Sequence, residues 1–309
     1  MHYADLRLRV QFRTGGRLPT FRGPTIRGAL GYTLKRVVCH VRSRACAQCF
    51  LRTRCAYPLV FEGVAPANRT YLRKYPHIPQ PFVLVVDGHA ARDVRPDDRY
   101  EFALRLFGPA IELHPFILMA LVESGRSGLG RDRLQFEVVS VDDGARELFR
   151  GGEAPETNPP NPSTIAPVSA AGPTGGRFRL RFETPVRLRT DGRLNTRPTL
   201  AAVVRAAIRR IRVLNHFYGN GALLPEDCGP LVEEAAEAAC RCDRLRWMRF
   251  QRFSTRQQRT MTLGGAVGEL PLERISPALA GLLHVASIVH VGKATSFGFG
   301  RITLEPGAP

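Results

Sequence analysis

The sequence predicts an α+β protein built from two copies of one βαββαβ unit in tandem. Three observations carry that expectation. The composition changes near the middle of the chain, the apolar patterns on either side run in the same order, and a short Gly-rich signature recurs at the same point of both halves.

The first half opens on an alternating stretch, Leu6-Arg-Leu-Arg-Val-Gln-Phe12, which has the period of a half-buried strand. An amphipathic helix is expected from about Pro24, strands at Phe82 to Val86 and Tyr100 to Phe107, a helix around Pro115 to Glu123, and a strand at Leu134 to Val141. From Gly151 to Gly176 large apolar residues are scarce, and Asn158-Pro-Pro-Asn-Pro-Ser and Gly172-Pro-Thr-Gly-Gly are turn signals with little to bury. The second half begins with the strand Phe178-Arg-Leu-Arg-Phe182. Pro198 then starts a helix along which Leu200, Val203, Val204, Ala207, Ile208, Ile211 and Leu214 keep helical spacing. Strands follow at Arg244 to Ser254 and Met261 to Leu272, then a helix started by Ser276 and Pro277, then a strand at Arg301 to Leu304.

Gly128-Leu-Gly130-Arg131 lies between the last helix and last strand of the first half, and Gly298-Phe-Gly300-Arg301 lies at the matching place in the second. The organisation read from this is a domain over 1–143, a Gly/Pro-rich linker over 144–176 and a domain over 177–309. The split βαβ arrangement is ferredoxin-like, or RRM-like, and the first domain carries a Cys-rich insertion at 39–55 after its first helix.

Charge narrows the partners. Forty-five Lys and Arg against 27 Asp and Glu leave a net charge of +18, nearly all of it from Arg. A planar guanidinium matches phosphate oxygens, and neutralised phosphates release counterions, so this is the footprint of a nucleic-acid binder. A genome rich in Arg codons is the bland account of the same numbers. No apolar run approaches the roughly 20 residues of a membrane helix, and Met1 to Asp5 has no signal-peptide core, so a cytoplasmic protein is expected.

Cys39, Cys46, Cys49 and Cys55 crowd into one basic segment with a single Cys-x-x-Cys pair, the pattern of a structural zinc knuckle or of four free thiols. Cys228, Cys240 and Cys242 read as ordinary thiols. In the loop at 292–300, Gly292, Gly298 and Gly300 allow positive φ and a close approach of amides to a phosphate, with Lys293 and Arg301 adding charge; a tight helix-to-strand turn has the same glycines. Arg205, Arg209, Arg212 and His216 share one helical face opposite the apolar stripe, as an RNA surface or a solvated face.

Three blocks in order carry a resemblance. Phe21-Arg-Gly-Pro-Thr-Ile-Arg-Gly-Ala-Leu-Gly with the Cys cluster and Cys55-Ala-Tyr-Pro-Leu-Val-Phe-Glu is the first, and Glu183-Thr-Pro-Val-Arg-Leu the second. The third runs from Phe253-Ser-Thr-Arg-Gln through Met261-Thr-Leu-Gly-Gly-Ala-Val-Gly to His290-Val-Gly-Lys-Ala-Thr-Ser-Phe-Gly-Phe-Gly-Arg. Together they resemble the CRISPR repeat-processing endoribonucleases of the RAMP superfamily, the sixth Cas protein family. The resemblance implies tandem ferredoxin-like domains and one cut within the repeat of precursor crRNA, yielding mature crRNA. It also implies chemistry without a metal, in which the 2′-hydroxyl attacks phosphorus and leaves a 2′,3′-cyclic phosphate. Arg252 and Arg256, around the start of the third block, join the RNA-binding set.

That family places its catalytic His in the first domain, near or after the first helix, and the match is His40. On a continuous helix Tyr32, Arg36 and His40 fall at i, i+4 and i+8, so an orienting hydroxyl, a cation and an imidazole share a face. His40 is the candidate general acid or base, with Tyr32 its helper and Arg36 or Lys35 neutralising the phosphate. His216 with Tyr218, and His290 beside Lys293, are reserves. If His40 ligated zinc beside Cys39, it could not carry a proton. The competing functions are a non-catalytic RAMP subunit holding guide RNA in an effector complex and a zinc-stabilised RNA-binding module. Expected partners are the repeat RNA and other Cas proteins, with the chain a monomer or homodimer; no cofactor is expected for catalysis, and the four clustered cysteines leave a structural zinc open.

Overall fold

The computed structural model describes residues 1–41, 45–66, 69–73, 77–87, 91–168, 177–238, 244–254 and 259–306, with the backbone alone at 252–254 and 259. The chain divides into two compact units. One comprises His2–Thr164 and Phe217–Gly219; the other comprises Met1, Ile165–His216 and Asn220–Pro309.

In the first unit the elements run β1 (His2–Phe12), β2 (Gly16–Leu18), α1 (Gly23–Val38), β3 (Phe82–Val85), β4 (Arg92–Val94), β5 (Arg99–Phe107), α2 (His114–Ser127), β6 (Phe136–Asp142), β7 (Glu147–Arg150) and β8 (Ser163–Thr164). The sheet is ordered β3-β5-β1-β6-β7, with β8 also on β1 and a separate β2-β4 pair. The alternation in β1 sends Leu6, Leu8, Val10 and Phe12 into the core and Arg7 and Arg9 outward. Antiparallel pairing sets Leu6 against Leu104 and Leu8 against Phe102. Each such Leu or Phe removed from water contributes about 1.5–3 kcal/mol.

The two helices of this unit meet through a buried polar contact. The Thr33 and Ser124 hydroxyls lie 2.8 Å apart, and each donates to the Ala120 carbonyl. Gly125 lets α2 approach β6, because a Cβ there would stand 2.1 Å from the Phe136 carbonyl oxygen.

The linker expected over 144–176 is corrected in part. β7 pairs with β6 and β8 with β1, because Leu148, Phe149 and Ile165 supply apolar anchors on either side of the Pro-rich run. Residues 169–176 lie outside the described residues.

The second unit contains β9 (Phe178–Val186), β10 (Leu188–Thr190), β11 (Arg193–Asn195), α3 (Leu200–Tyr218), α4 (Gly229–Glu237), β12 (Leu245–Ser254), β13 (Arg259–Leu272), α5 (Pro277–Val289) and β14 (Ile302–Pro306). Its sheet is ordered β12-β13-β9-β14, with β10 and β11 paired separately. In both units the four strands of the βαββαβ pattern therefore stand in the order second, third, first, fourth.

α5 starts where Ser276 predicts. Its hydroxyl accepts the Leu279 amide at 3.1 Å and donates to Glu234 at 2.7 Å. Leu279, Leu282, Leu283, Ala286 and Val289 bury the helix. Among the described residues no helix is long and apolar enough to cross a membrane.

Candidate catalytic face and RNA-binding surfaces

α1 presents Tyr32, Lys35 and Arg36 to solvent while Ile26, Leu30 and Leu34 pack inward. The three exposed groups separate into two places. The Arg36 guanidinium lies over the Tyr32 ring, 5.5 Å from its centre, and 3.9 Å from the Glu123 carboxylate of α2. Lys35 turns the other way. Its ammonium sits 5.6 Å from the centre of the Tyr57 ring and lines a small cavity with the four clustered cysteines.

His40 does not continue the helical register. α1 stops at Val38, and Cys39 is extended, with φ −86° and ψ 109°, so the i+8 relation to Tyr32 is broken. The physical reason lies in Cys39, whose side chain joins the wall of the cysteine cavity as the chain leaves the helix. His40 follows it, is exposed, and makes no hydrogen bond or ion pair among the described residues. Tyr32 and Arg36 are thus brought together, and His40 lies just past the last turn of their helix.

Of the reserves, His290 is only 1% exposed and its Nδ1 is 3.0 Å from the Phe299 carbonyl, so it is a structural residue of the turn. Tyr218 donates its hydroxyl to the Pro79 carbonyl at 2.5 Å, within the first unit. His216 is exposed on α3.

In the second unit, Arg205, Arg209 and Arg212 are exposed along α3 as the periodicity predicts. Arg212 also donates to the Glu226 carbonyl and the Cys228 sulfur, both at 3.3 Å. The Gly-rich loop keeps its positive φ values, 86° at Gly292, 83° at Gly298 and 78° at Gly300.

The expected use of the loop amides needs correction. The Lys293 amide donates to the Arg187 carbonyl, the Gly298 amide to Thr295 and the Gly300 amide to Pro185, at 2.9, 2.9 and 3.0 Å. Those donors are engaged by the fold, and a Cβ on Gly300 would stand 2.0 Å from the Val291 carbonyl oxygen. The Lys293 and Gly300 amides lace the loop to the end of β9 and the Gly298 amide closes a turn within it, so none of the three faces a phosphate. Lys293 stays exposed and Arg301 half-buried. Arg252 has its backbone in β12 and its side chain outside the described residues, where Arg256 also falls. Arg246 and Arg249 are exposed cations of β12 that sequence reasoning left out, although they belong to the same Arg-rich strand.

Two family models match successive parts of the chain. Residues 1–162 match a family model described as an N-terminal domain, and residues 180–302 match the one described as CRISPR-associated endoribonuclease Cas6. No curated protein matches the chain. A solved Cas6 product complex is 17% identical, with 98% of this chain and 99% of that one covered and a TM-score of 0.56. Thermus thermophilus Cas6 is 16% identical over 98% of both chains, at a TM-score of 0.53. A partial Cas6-RT-Cas1–Cas2 complex reaches 0.59 at 14% identity, covering 99% of this chain and 46% of that one. At such identities the structures establish a shared fold, and the family model adds the sequence evidence. Residues 180–302 therefore carry the sequence signature of the CRISPR-associated endoribonuclease Cas6, and the chain shares the fold of solved Cas6 structures.

Proposed function

We propose that this chain binds the repeat of precursor crRNA and cuts it once by metal-independent acid–base catalysis. The observation that carries the reading is His40, an exposed imidazole with no hydrogen bond or ion pair among the described residues, just beyond a helix that presents Tyr32 and Arg36. The 2′-hydroxyl attacks phosphorus, the bond to the 5′-oxygen breaks, and the product keeps a 2′,3′-cyclic phosphate. The hydroxyl gives up one proton and the leaving oxygen gains one; His40 carries one of these transfers. Arg36 offsets the charge that gathers on phosphorus, and Tyr32 orients the imidazole. Lys35 holds a lesser place, since it faces Tyr57 and the cysteine cavity.

Both units are ferredoxin-like in this reading, supported by the strand order they share, with the Cys-bearing segment as an insertion of the first. The arginines of α3 and Lys293 supply contacts to the RNA backbone. Other Cas proteins are natural partners, given the Cas6-RT-Cas1–Cas2 assembly among the similar structures. The test is cleavage of the native repeat by the purified chain. Activity should persist in EDTA and stop when a deoxy sugar replaces the ribose just 5′ of the scissile phosphate; a magnesium requirement sinks the mechanism.

A further inference from the structure

We propose that Cys39, Cys46, Cys49 and Cys55 form a structural zinc site that fastens the segment after α1 to the end of that helix. All four are free thiols, all are half-buried, and all line one small cavity, together with Lys35, Val41, Arg52, Tyr57 and Pro58. Cys46 and Cys49 flank a single turn closed by the Cys49 amide on the Cys46 carbonyl at 3.2 Å. Cys39 arrives from the C-terminus of α1 and Cys55 from just before the helical turn at Pro58–Glu62.

Among the described residues the segment buries little to anchor it. Phe50 is 73% exposed, Leu51 and Arg52 to Arg54 are exposed, and none of Cys46–Gln48 is buried. The backbone bonds that Gln48, Cys49, Arg52, Arg54 and Cys55 donate all end within 45–51. A stretch that buries so little apolar surface cannot offset its ordering entropy unaided, and a metal supplies what a core does not.

The chemistry of the cavity selects the ion. Four sulfur donors, with no carboxylate among the described residues of the wall, suit a soft tetrahedral ion such as Zn²⁺. Four thiolates around Zn²⁺ carry a net charge of −2, and Lys35 and Arg52 on the same wall offset it.

Among the described residues no group of three donors is placed to hold an ion. The proposed site therefore requires the thiols to close to about 2.3 Å from the metal. His40 is exposed and absent from the wall, so a four-sulfur site leaves its imidazole available.

The test is metal analysis of the full-length chain from zinc-supplemented cells, and it needs no RNA. One zinc per chain is expected, falling to near zero in Cys39→Ser and Cys49→Ser and staying at one in Cys228→Ala. Should the serine variants fail to fold, alkylation of the unmodified chain decides. Cys39, Cys46, Cys49 and Cys55 should resist iodoacetamide as purified and become reactive together once a chelator has removed the zinc. Zinc that persists in the serine variants, iron in its place, or a metal-free chain whose four thiols react or pair as disulfides overturns the proposal.

Discussion

In the proposed mechanism His40 acts on the substrate, and among the described residues it makes no hydrogen bond or ion pair. It lies outside the helix and exposed, next to Cys39 of the cysteine cavity. His40→Ala should therefore slow cleavage by about 10²- to 10⁴-fold, the usual worth of a general acid or base, with RNA affinity and melting temperature nearly unchanged. Single-turnover rates at saturating protein check this; equal losses in affinity and rate would mark the residue as structural. Arg36 was legible in the sequence as part of one exposed helical face. Its ion pair with Glu123 was not, because the partners lie on different helices and only the tertiary fold joins them. Lys35 shows the same limit. Spacing puts it next to Arg36, yet the Tyr57 ring and the cysteine cavity draw it away.

At the scale of the element, period-two and helical patterns found the main strands and helices, since burial dictates those patterns. They missed β7 and β8, which are short and embedded in Pro-rich chain, and they ran α1 past its end at Val38. β13 offers a test of what holds its edge pairs. Burial opposes the charge on Glu269, but hydrogen bonds from Arg244 at 2.6 Å and Arg179 at 3.3 Å outweigh it and hold the carboxyl below its ordinary range. A depressed pKa in the folded state gives stability that is fully present above the unfolded value, about 4.3, and disappears as pH falls through the folded value. Glu269→Gln should cost about 1 kcal/mol at neutral pH, and the difference should vanish in strong acid. Urea unfolding of both chains from pH 7 down to pH 2 measures it; a gap that stays constant with pH refutes the role of the charge.

For the whole molecule, the duplication was legible because two halves of one chain repeat the same element order, and the net charge of +18 pointed to a polyanion. The role of the Gly-rich loop was less legible, since a sequence shows that amides can reach outward but not that Pro185 and Arg187 already accept them. RNA affinity should accordingly depend on exposed side chains. Replacing Arg205, Arg209 and Lys293 by Ala should weaken binding and flatten its salt dependence, by roughly 0.7 in the log-log slope for each phosphate of single-stranded RNA that is no longer neutralised. The cleavage rate should recover at saturating protein, as filter binding and kinetics at several salt concentrations will show. If the slope does not change, the RNA lies elsewhere.

The strand order of the two sheets has a consequence for how the chain is made. The opening strand of each βαββαβ pattern sits between its third and fourth strands: β1 must wait for β5, whose register sets Leu6 against Leu104, and for β6, which sets Phe12 against Phe136. On the ribosome, β1 emerges before either neighbour exists, and closing such long loops makes folding slow. An apolar strand left without a partner for that time is an aggregation hazard. Arg7 and Arg9, alternating with Leu6, Leu8 and Val10, put two positive charges at successive outward positions of the waiting strand, and like charges there should disfavour pairing between nascent copies.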